Sequence, residues 1–269
     1  MKITKGKVIL AIVIVYFAIF AVININKEKN YNKEILDQVV YVTDGKVNPE
    51  NEGKVVLVSG KIEYDELVTF LELDSFETIK INRKVEDYLR VTDRDGRKTE
   101  KWVERVEVED EETDDYLKTI VSDEKVAKVR IGEFELDEKG LSLIPTDSFY
   151  HGQEKIGDLL SAGFWYERDP EEETLKVGDM KLTYQYYDLE KNPNLSILAV
   201  QKGNSFEPYK VDKKTEVYQV FTKKVDAEDK LTIELNKNVK NTTKGKTLFV
   251  IMILIVGVFL IVDNKKKEK

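Results

Sequence analysis

Two long runs without charged residues stand near the two ends of the chain. One runs from Val8 to Ile25 and the other from Thr247 to Val262, and lysines flank both. As helices they would be about 27 Å and 24 Å long, close to the thickness of a bilayer core. We therefore predict transmembrane helices at 8–26 and 247–262, the second short but sufficient if its lysines reach the headgroups.

The first run is also a candidate signal peptide, because three lysines precede it. Its apolar stretch is longer than a signal core, and no small residues form a cleavage site near Ile25. An uncleaved anchor is the favoured interpretation.

The segment between the runs, residues 27–246, reads as one folded unit in which strand patterns outnumber helix patterns. Helical spacing marks 31–42 and the short stretch 156–164. Strand patterns mark 53–63 and a returning strand at 102–108, and alternation of apolar and polar residues marks strands at 78–91, 180–186 and 231–235. The Asp95-Gly96 pair predicts a hairpin turn between the strands at 78–91 and 102–108. The fold class is thus α+β and strand-rich.

Three similar segments suggest two related sub-domains. These are VSGKIE (58–63), IGEFEL (131–136) and VGDMKL (177–182), and each places a glycine after an apolar residue at the opening of a strand pattern. Duplication is one interpretation, and the general frequency of glycine in turns before strands is the other.

Lysine placement predicts the orientation in the membrane. The tails 1–7 and 263–269 carry net charges of +3 and +2, and the whole chain carries −8, which leaves −13 between the two runs. Short basic tails favour the cytoplasmic side. We expect a protein integral to the cell membrane with two spans, cytoplasmic termini and an extracytoplasmic domain at 27–246.

Composition excludes several kinds of chemistry. The chain has no cysteine and a single histidine, His151, so disulfides, thiolate sites and multi-histidine metal sites are excluded. The acidic charge excludes nucleic acid as the expected partner. His151 lacks a G-x-S-x-G elbow that would suggest a hydrolase triad, and P-loop and dinucleotide motifs are absent from the sequence.

Two acidic runs, 107–115 and 167–173, are the remaining candidates for a site. Carboxylates suit calcium, but the spacing does not match an EF-hand loop, so solvated turns are the favoured interpretation. We expect no cofactor and no catalytic residue.

The central segments contain an ordered set of short motifs: an R-K-V-E-x-Y stretch, a V-G-D strand opening, a Q-x-G turn and a Pro-Tyr pair. Their residues are Arg83, Lys84, Val85, Glu86, Tyr88, Val177, Gly178, Asp179, Gln201, Gly203, Pro208 and Tyr209. Each motif alone is weak, but the ordered set resembles the transmembrane protein 43 (LUMA) family over most of residues 50–210.

These twelve positions are interpreted as structural residues, with Arg83 pairing with Glu86 on a strand surface and the glycines supplying turns. Family members usually carry several membrane segments after the domain, whereas this chain has one. The resemblance implies a non-enzymatic membrane protein.

The leading functional hypothesis is a scaffold that organises membrane protein complexes, with the lipid bilayer and other membrane proteins or its own copies as partners. An extracytoplasmic sensor or ligand-binding module is the first alternative. A hydrolase that uses carboxylates is the second, and it requires Asp and Glu residues with raised pKa values in a concave pocket.

Overall fold

The computed structural model describes residue 23 and the ranges 30–73, 76–108, 115–153, 155–163, 165–167, 175–211 and 215–237. Apart from Ile23, the predicted membrane segments 8–26 and 247–262 lie outside these residues, as do the two tails. Within the described ranges no helix combines the length and the apolar character needed to cross a bilayer.

The described residues form a strand-rich α+β fold, as predicted. The helical stretches are α1 (residues 30–38), a 3-10 turn (Pro49–Asn51), α2 (Tyr116–Thr119), α3 (Glu138–Ser142) and α4 (residues 228–237). The strands are β1 Val40–Val42, β2 Val55–Lys61, β3 Glu63–Tyr64, β4 Lys80–Thr92, β5 Lys98–Glu104, β6 Asp123–Val126, β7 Val129–Ile131, β8 Phe134–Glu135, β9 Ser148–Phe149, β10 Leu160–Ser161, β11 Trp165–Glu167, β12 Met180–Tyr186, β13 Asn194–Lys202, β14 Ser205–Glu207, β15 Tyr209–Lys210, β16 Glu216–Val217 and β17 Gln219–Phe221.

Sheet A consists of β1, β2, β13, β14 and β17, with β2 and β13 at its centre. β2 and β13 pair antiparallel from Val55 opposite Val200 to Lys61 opposite Asn194, and β1 pairs parallel to β2. Each central strand contains a run of four consecutive apolar residues, Val55–Val58 in β2 and Ile197–Val200 in β13. Such runs have no polar face to turn toward water, so both faces of sheet A must be covered.

One face of sheet A packs against sheet B, which consists of β3, β7 and β8. Val56, Val58 and Ile197 of sheet A share a core with Val129 and Ile131 of sheet B. Close packing between the layers therefore fixes the position of sheet B.

The opposite face of sheet A is covered by α1 and α4. Ile35 of α1 and Leu231 and Leu235 of α4 are buried with Leu57 and Leu198 in one core. Residues four apart lie on the same side of a helix, which places Leu231 and Leu235 together against the sheet. The first and the last helix of the described domain thus share one core on one sheet face.

Two buried serines hold the segment that leads into α4. Ser196 accepts hydrogen bonds from the Val225 amide (2.8 Å) and from the Ser59 hydroxyl (2.7 Å), and it donates to the Lys223 carbonyl (2.7 Å). We expect Ser196→Ala to lower the free energy of unfolding by about 1–3 kcal/mol, because the buried Val225 amide loses its acceptor.

Chemical denaturation of the purified protein would measure this change, with Ser142→Ala as the control. Ser142 is exposed, and its hydroxyl donates to the Lys139 carbonyl of its own turn. Equal stability of the two variants would contradict the role assigned to Ser196.

Sheet C is the second large sheet, in which β12 and β4 form the centre. β10, β11 and β9 lie on the β12 side, and β5 and β6 lie on the β4 side. The hairpin predicted at Asp95-Gly96 is confirmed: β4 and β5 pair from Glu86 to Thr92, and Gly96 has a φ of 78°. Ile81, Val85 and Leu182 lie on the buried face of this sheet.

The two sheets do not follow each other along the chain. The strands of sheet A come from both ends of the domain, β1 and β2 from its start and β13, β14 and β17 from its end. The strands of sheet C come from the part of the chain between them. The three similar segments have different structures: Gly60 lies within β2, Gly132 turns between β7 and β8, and Gly178 precedes β12. The similarity therefore does not mark one repeated local structure.

Two predicted elements end earlier than expected: the helix at 31–42 ends at residue 38, before β1, and the strand at 102–108 ends at Glu104. Two further local predictions are wrong throughout. Residues 231–235 belong to helix α4, in which Ile233 faces solvent while Leu231 and Leu235 are buried. The stretch 156–164 is not a helix, because Ile156 bridges to Leu159 and Leu160 begins β10. In both cases a short apolar pattern fits either period, and the tertiary packing decides.

Candidate functional site

Charged residues interrupt the buried face of sheet C at two places on β4. Arg83 and Asp87 alternate with Ile81, Val85 and Leu89 on one parity of the strand, so their side chains point to the same face. A charge on that face is costly unless it is paired, and each of the two is paired. These two pairs and their surroundings form the candidate site.

The first pair belongs to a group that we call the Glu72 cluster, which consists of Glu72, Arg83, Tyr116 and Tyr184. The Glu72 carboxylate accepts from Arg83 Nη1 (2.6 Å) and from the hydroxyls of Tyr184 and Tyr116 (2.8 Å each). Only 3% of the Glu72 side chain and 10% of the Arg83 side chain are exposed. Arg83 Nε also donates to the Val121 carbonyl at 2.9 Å.

The same arginine lies over the ring of Phe70, with its central carbon 4.3 Å from the ring centre. Phe70 thus closes the cluster from one side, and cation–π attraction adds to the ion pair. The arrangement places an ion pair in the core in which both carboxylate oxygens of Glu72 accept hydrogen bonds.

The protonation states of the Glu72 cluster are fixed by its geometry. Burial alone would raise the pKa of Glu72, but hydrogen bonds from Arg83, Tyr116 and Tyr184 together with the Arg83 charge lower it. Burial and the neighbouring carboxylate raise the pKa of Tyr116 to about 12, and they raise the pKa of Tyr184 further. At neutral pH the cluster therefore contains a carboxylate, a guanidinium and two protonated phenols.

The second pair joins Asp87 of β4 to Arg105, which follows β5. Arg105 donates from Nε to Asp87 at 2.7 Å and from Nη2 to the other carboxylate oxygen, and Nη1 donates to the Leu117 carbonyl at 2.6 Å. Such a bidentate pair fixes both side chains in one orientation. It therefore ties the segment around α2 to sheet C.

A cavity of about 230 Å³ opens beside this pair. Its lining includes Asp87, Leu89, Arg105, Leu117, Gly178 and Met180. Half of the lining residues are charged, since Asp115 and Lys118 join the ion pair, and the others are apolar or glycine. A cavity of this size and polarity has room for a small polar molecule.

The first two family motifs meet at this cavity. The Tyr88 amide donates to the Asp179 carbonyl (2.8 Å), and the Gly178 amide donates to the Tyr88 carbonyl (2.9 Å). Gly178 has a φ of 102°, a conformation that L side chains rarely adopt. Val177 is exposed beside it, and the Asp179 carboxylate accepts from the Lys176 amide at 2.7 Å.

The predicted pairing of Arg83 with Glu86 is wrong. Residues three apart on a strand point to opposite faces, and Glu86 instead contacts Lys84 (2.7 Å) and Lys181 (3.1 Å) on the open face of sheet C. Val85, which stands between Lys84 and Glu86 in the sequence, points to the opposite face and lies in the core. The R-K-V-E-x-Y stretch thus contributes to both faces of the sheet.

The last two motifs lie away from the cavity, the Q-x-G turn on sheet A and the Pro-Tyr pair at the start of the two-stranded sheet of β15 and β16. Gln201 is buried and donates to the Asn48 carbonyl (2.9 Å), while Gly203 turns between β13 and β14 with a φ of 58°. Pro208 separates β14 from β15. The Tyr209 hydroxyl donates to Glu34 of α1 and accepts from Gln38, each at 2.8 Å, which links β15 to the first helix.

Metal-binding groups are not found where the structure is described: no set of His, Asp or Glu residues there is arranged to hold an ion. Residues 109–114 and 168–173, which contain most of the two acidic runs, lie outside the described part. His151 is exposed after β9 and is not part of the site.

The sequence patterns did not predict Glu72, Asp87, Arg105, Tyr116 or Tyr184 as members of the site. The sequence did indicate that Arg83 and Asp87 point into the core, since both alternate with the apolar residues of β4. The contributions of Glu72, Tyr116 and Arg105 come from loops, α2 and a strand end, which no local pattern connects.

Comparison with known proteins and protein families identifies one family for this chain. No curated protein and no solved structure matches it. The model of the family described as transmembrane protein 43 matches residues 108–265, more than half of the chain, including the V-G-D, Q-x-G and Pro-Tyr motifs and the predicted second anchor. The chain therefore belongs to the transmembrane protein 43 family.

Proposed function

We propose that this protein is a non-enzymatic integral membrane scaffold that organises other membrane proteins or its own copies. The observation that carries the proposal is the position of α1 and α4. Both pack into one core on one face of sheet A, and α1 follows the predicted first anchor while α4 precedes the second. A domain tied into one core at both ends suits a rigid structural element.

The candidate site supports a structural role over catalysis. Where the pKa of a carboxyl group departs from its ordinary value among the described residues, it is lowered, at Glu72, Glu86, Asp226 and Glu234. For Glu72 and Glu86, burial opposes the change and hydrogen bonds from neighbouring donors outweigh it. A carboxylate hydrolase needs a group with a raised pKa to donate a proton.

An exposed leucine offers a contact point for a partner. Leu71 is 87% exposed, although its neighbours Phe70 and Glu72 are buried. Tyr116, which is bonded to Glu72, is also largely exposed. The Glu72 cluster holds the Tyr116 hydroxyl in place, and aromatic side chains are enriched at protein interfaces.

Photo-crosslinking in intact cells tests the scaffold proposal. A benzophenone amino acid at Leu71 is expected to yield products larger than the monomer, which mass spectrometry would assign to a membrane protein or to a second copy. The same amino acid at Lys61, an exposed residue at the end of β2, serves as the control. Recovery of monomer alone at both positions would count against a scaffold.

The absence of cysteine from the chain makes the membrane topology measurable. A Lys128→Cys variant is expected to react with a membrane-impermeant maleimide on intact cells, since Lys128 is exposed in the domain proposed to be extracytoplasmic. A Lys265→Cys variant in the C-terminal tail is expected to react only after permeabilisation. The reverse pattern would contradict two spans with cytoplasmic termini.

A ligand-binding module is the second candidate, and the cavity beside Asp87 and Arg105 favours it. A bound small molecule would raise the thermal stability of the full chain by mass action. Loss of that increase in a Gly178→Ala variant that remains folded would assign the ligand to the cavity.

A further inference from the structure

The hairpin of β4 and β5 extends well beyond the rest of sheet C. The pairing of β4 with β12 ends at Asp87, whereas its pairing with β5 continues to Thr92 opposite Lys98. Five residues of strand add about 16 Å. Residues 89–101 therefore form a projecting two-stranded ribbon, which we call the basic ribbon, and every residue from 92 to 101 is exposed.

The basic ribbon has the opposite charge to the domain that carries it. Residues 89–101 contain five basic and three acidic side chains, whereas the segment between the predicted anchors carries −13. Three of the seven arginines of the chain lie here. Arg94, Arg97, Lys98 and Lys101 make no ion pair with any residue that the structure describes.

The acidic residues of the ribbon are engaged locally. Asp93 accepts from the amides of Asp95 (2.9 Å) and Arg97 (2.8 Å) and so forms the turn, and Glu100 pairs with Arg90 at 2.6 Å. Two of the three acids thus have bonding roles within the ribbon, and the four unpaired cations are directed at solvent.

Two aromatic side chains stand at the base of the ribbon on one face. The rings of Tyr88 and Trp102 are 5.3 Å apart, and Lys181 Nζ lies 4.7 Å from the Trp102 ring centre. Both aromatic residues are partly exposed. Tyrosine and tryptophan beside arginine and lysine are the side chains that proteins use at the membrane–water interface.

We propose that the basic ribbon is a second membrane contact that binds anionic phospholipid headgroups near the anchors. Anionic headgroups attract the ribbon and repel the acidic remainder of the domain. Opposite forces on two parts of one rigid body would orient it with the ribbon toward the bilayer. The proposal rests on membrane anchoring of the chain and is independent of a scaffold role.

The test uses the full chain in lipid nanodiscs. Because the chain lacks cysteine, Thr92→Cys provides a single site on the ribbon for an environment-sensitive nitrobenzoxadiazole label. Discs of pure phosphatidylcholine are compared with discs that contain about 30 mol% phosphatidylserine. We expect a blue shift of the emission in the anionic discs and about two-fold weaker quenching by acrylamide, because headgroups shield the label.

Two quadruple variants in the labelled background separate the ribbon from general charge effects. R94Q/R97Q/K98Q/K101Q is expected to abolish the lipid-dependent shift. K46Q/K54Q/K61Q/K128Q removes the same charge from exposed lysines elsewhere and is expected to retain it. About 0.5 M salt is expected to abolish the shift as well, since it screens such attraction.

Three results would overturn the proposal. Equal emission and quenching in the two lipids would show that the ribbon does not contact headgroups and would leave an acidic protein as its partner. Loss of the shift in both quadruple variants would show a general charge effect. Shielding of the label by inorganic phosphate in the neutral discs would assign a free phosphate site instead.

Discussion

Replacement of Arg83 by methionine is expected to lower the free energy of unfolding by about 3–5 kcal/mol, because it leaves the buried Glu72 carboxylate without its counter-charge. Methionine preserves much of the side-chain volume, so the change reports mainly on the charge. For a domain of this size such a loss lowers the melting temperature by roughly 6–20 °C. Thermal unfolding of the full chain in detergent would measure it.

Arg90→Met is the matched control, because Arg90 lies on the same strand and also pairs with a glutamate. Its side chain is 58% exposed, and its partner Glu100 is exposed as well. An exposed pair of this kind contributes about 0–1 kcal/mol. Equal losses in the two variants would contradict the assignment of Glu72 and Arg83 as a buried structural pair.

The Glu72 pair also predicts a dependence of stability on pH. The pKa of Glu72 is lowered in the folded state from its ordinary value of 4.5. A lowered carboxyl pKa stabilises the fold above the unfolded-state value, and this contribution is lost as the pH falls through the folded-state value. The advantage of the wild type over Glu72→Gln should therefore shrink as the pH falls below 4.5.

The second large effect is expected at Gly132, which turns between β7 and β8. A Cβ atom there would lie 2.5 Å from the Gly45 carbonyl oxygen, and the φ of Gly132 is 60°. Alanine would both strain the backbone and force two backbone segments apart. We expect Gly132→Ala to lower the free energy of unfolding by about 2–5 kcal/mol, measured by chemical denaturation.

Gly203→Ala separates these two costs. Gly203 has nearly the same φ, 58°, but a Cβ atom added there would meet no other atom within 4 Å. Only the backbone cost of about 1–2 kcal/mol applies there. If the two alanine variants were equally stable, the close approach of Gly45 and Gly132 would have no energetic importance.

Patterns along single strands predicted three of the four central strands, β2, β4 and β12, but not β13. Met180, Leu182 and Tyr184 are buried in turn along β12, and the run of four apolar residues in β2 corresponds to a strand covered on both faces. These patterns are reliable because burial of one or both faces acts on each residue separately. The turn at Asp95-Gly96 was also predictable, because two adjacent residues determine its conformation.

Relations between distant segments were not predictable. Glu72 meets Arg83, Tyr116 and Tyr184 only after β4, α2 and β12 have come together. The predicted pairing of Arg83 with Glu86 was wrong because residues three apart on a strand point to opposite faces. Arg83 alternates with buried residues of β4, which already indicated that it points to the other face from Glu86. The strands of sheet C lie between those of sheet A in the sequence. This arrangement depends on which strands pair, and alternation carries no information about pairing.

If this protein is the scaffold that we propose, it assembles with other proteins or with itself. The most direct test extracts the full chain from its native membrane in copolymer discs, without detergent, and measures the mass of single particles by mass photometry. The scaffold account predicts discs that contain several chains or a second protein identified by mass spectrometry. A population made up of single chains alone at native expression level would contradict it.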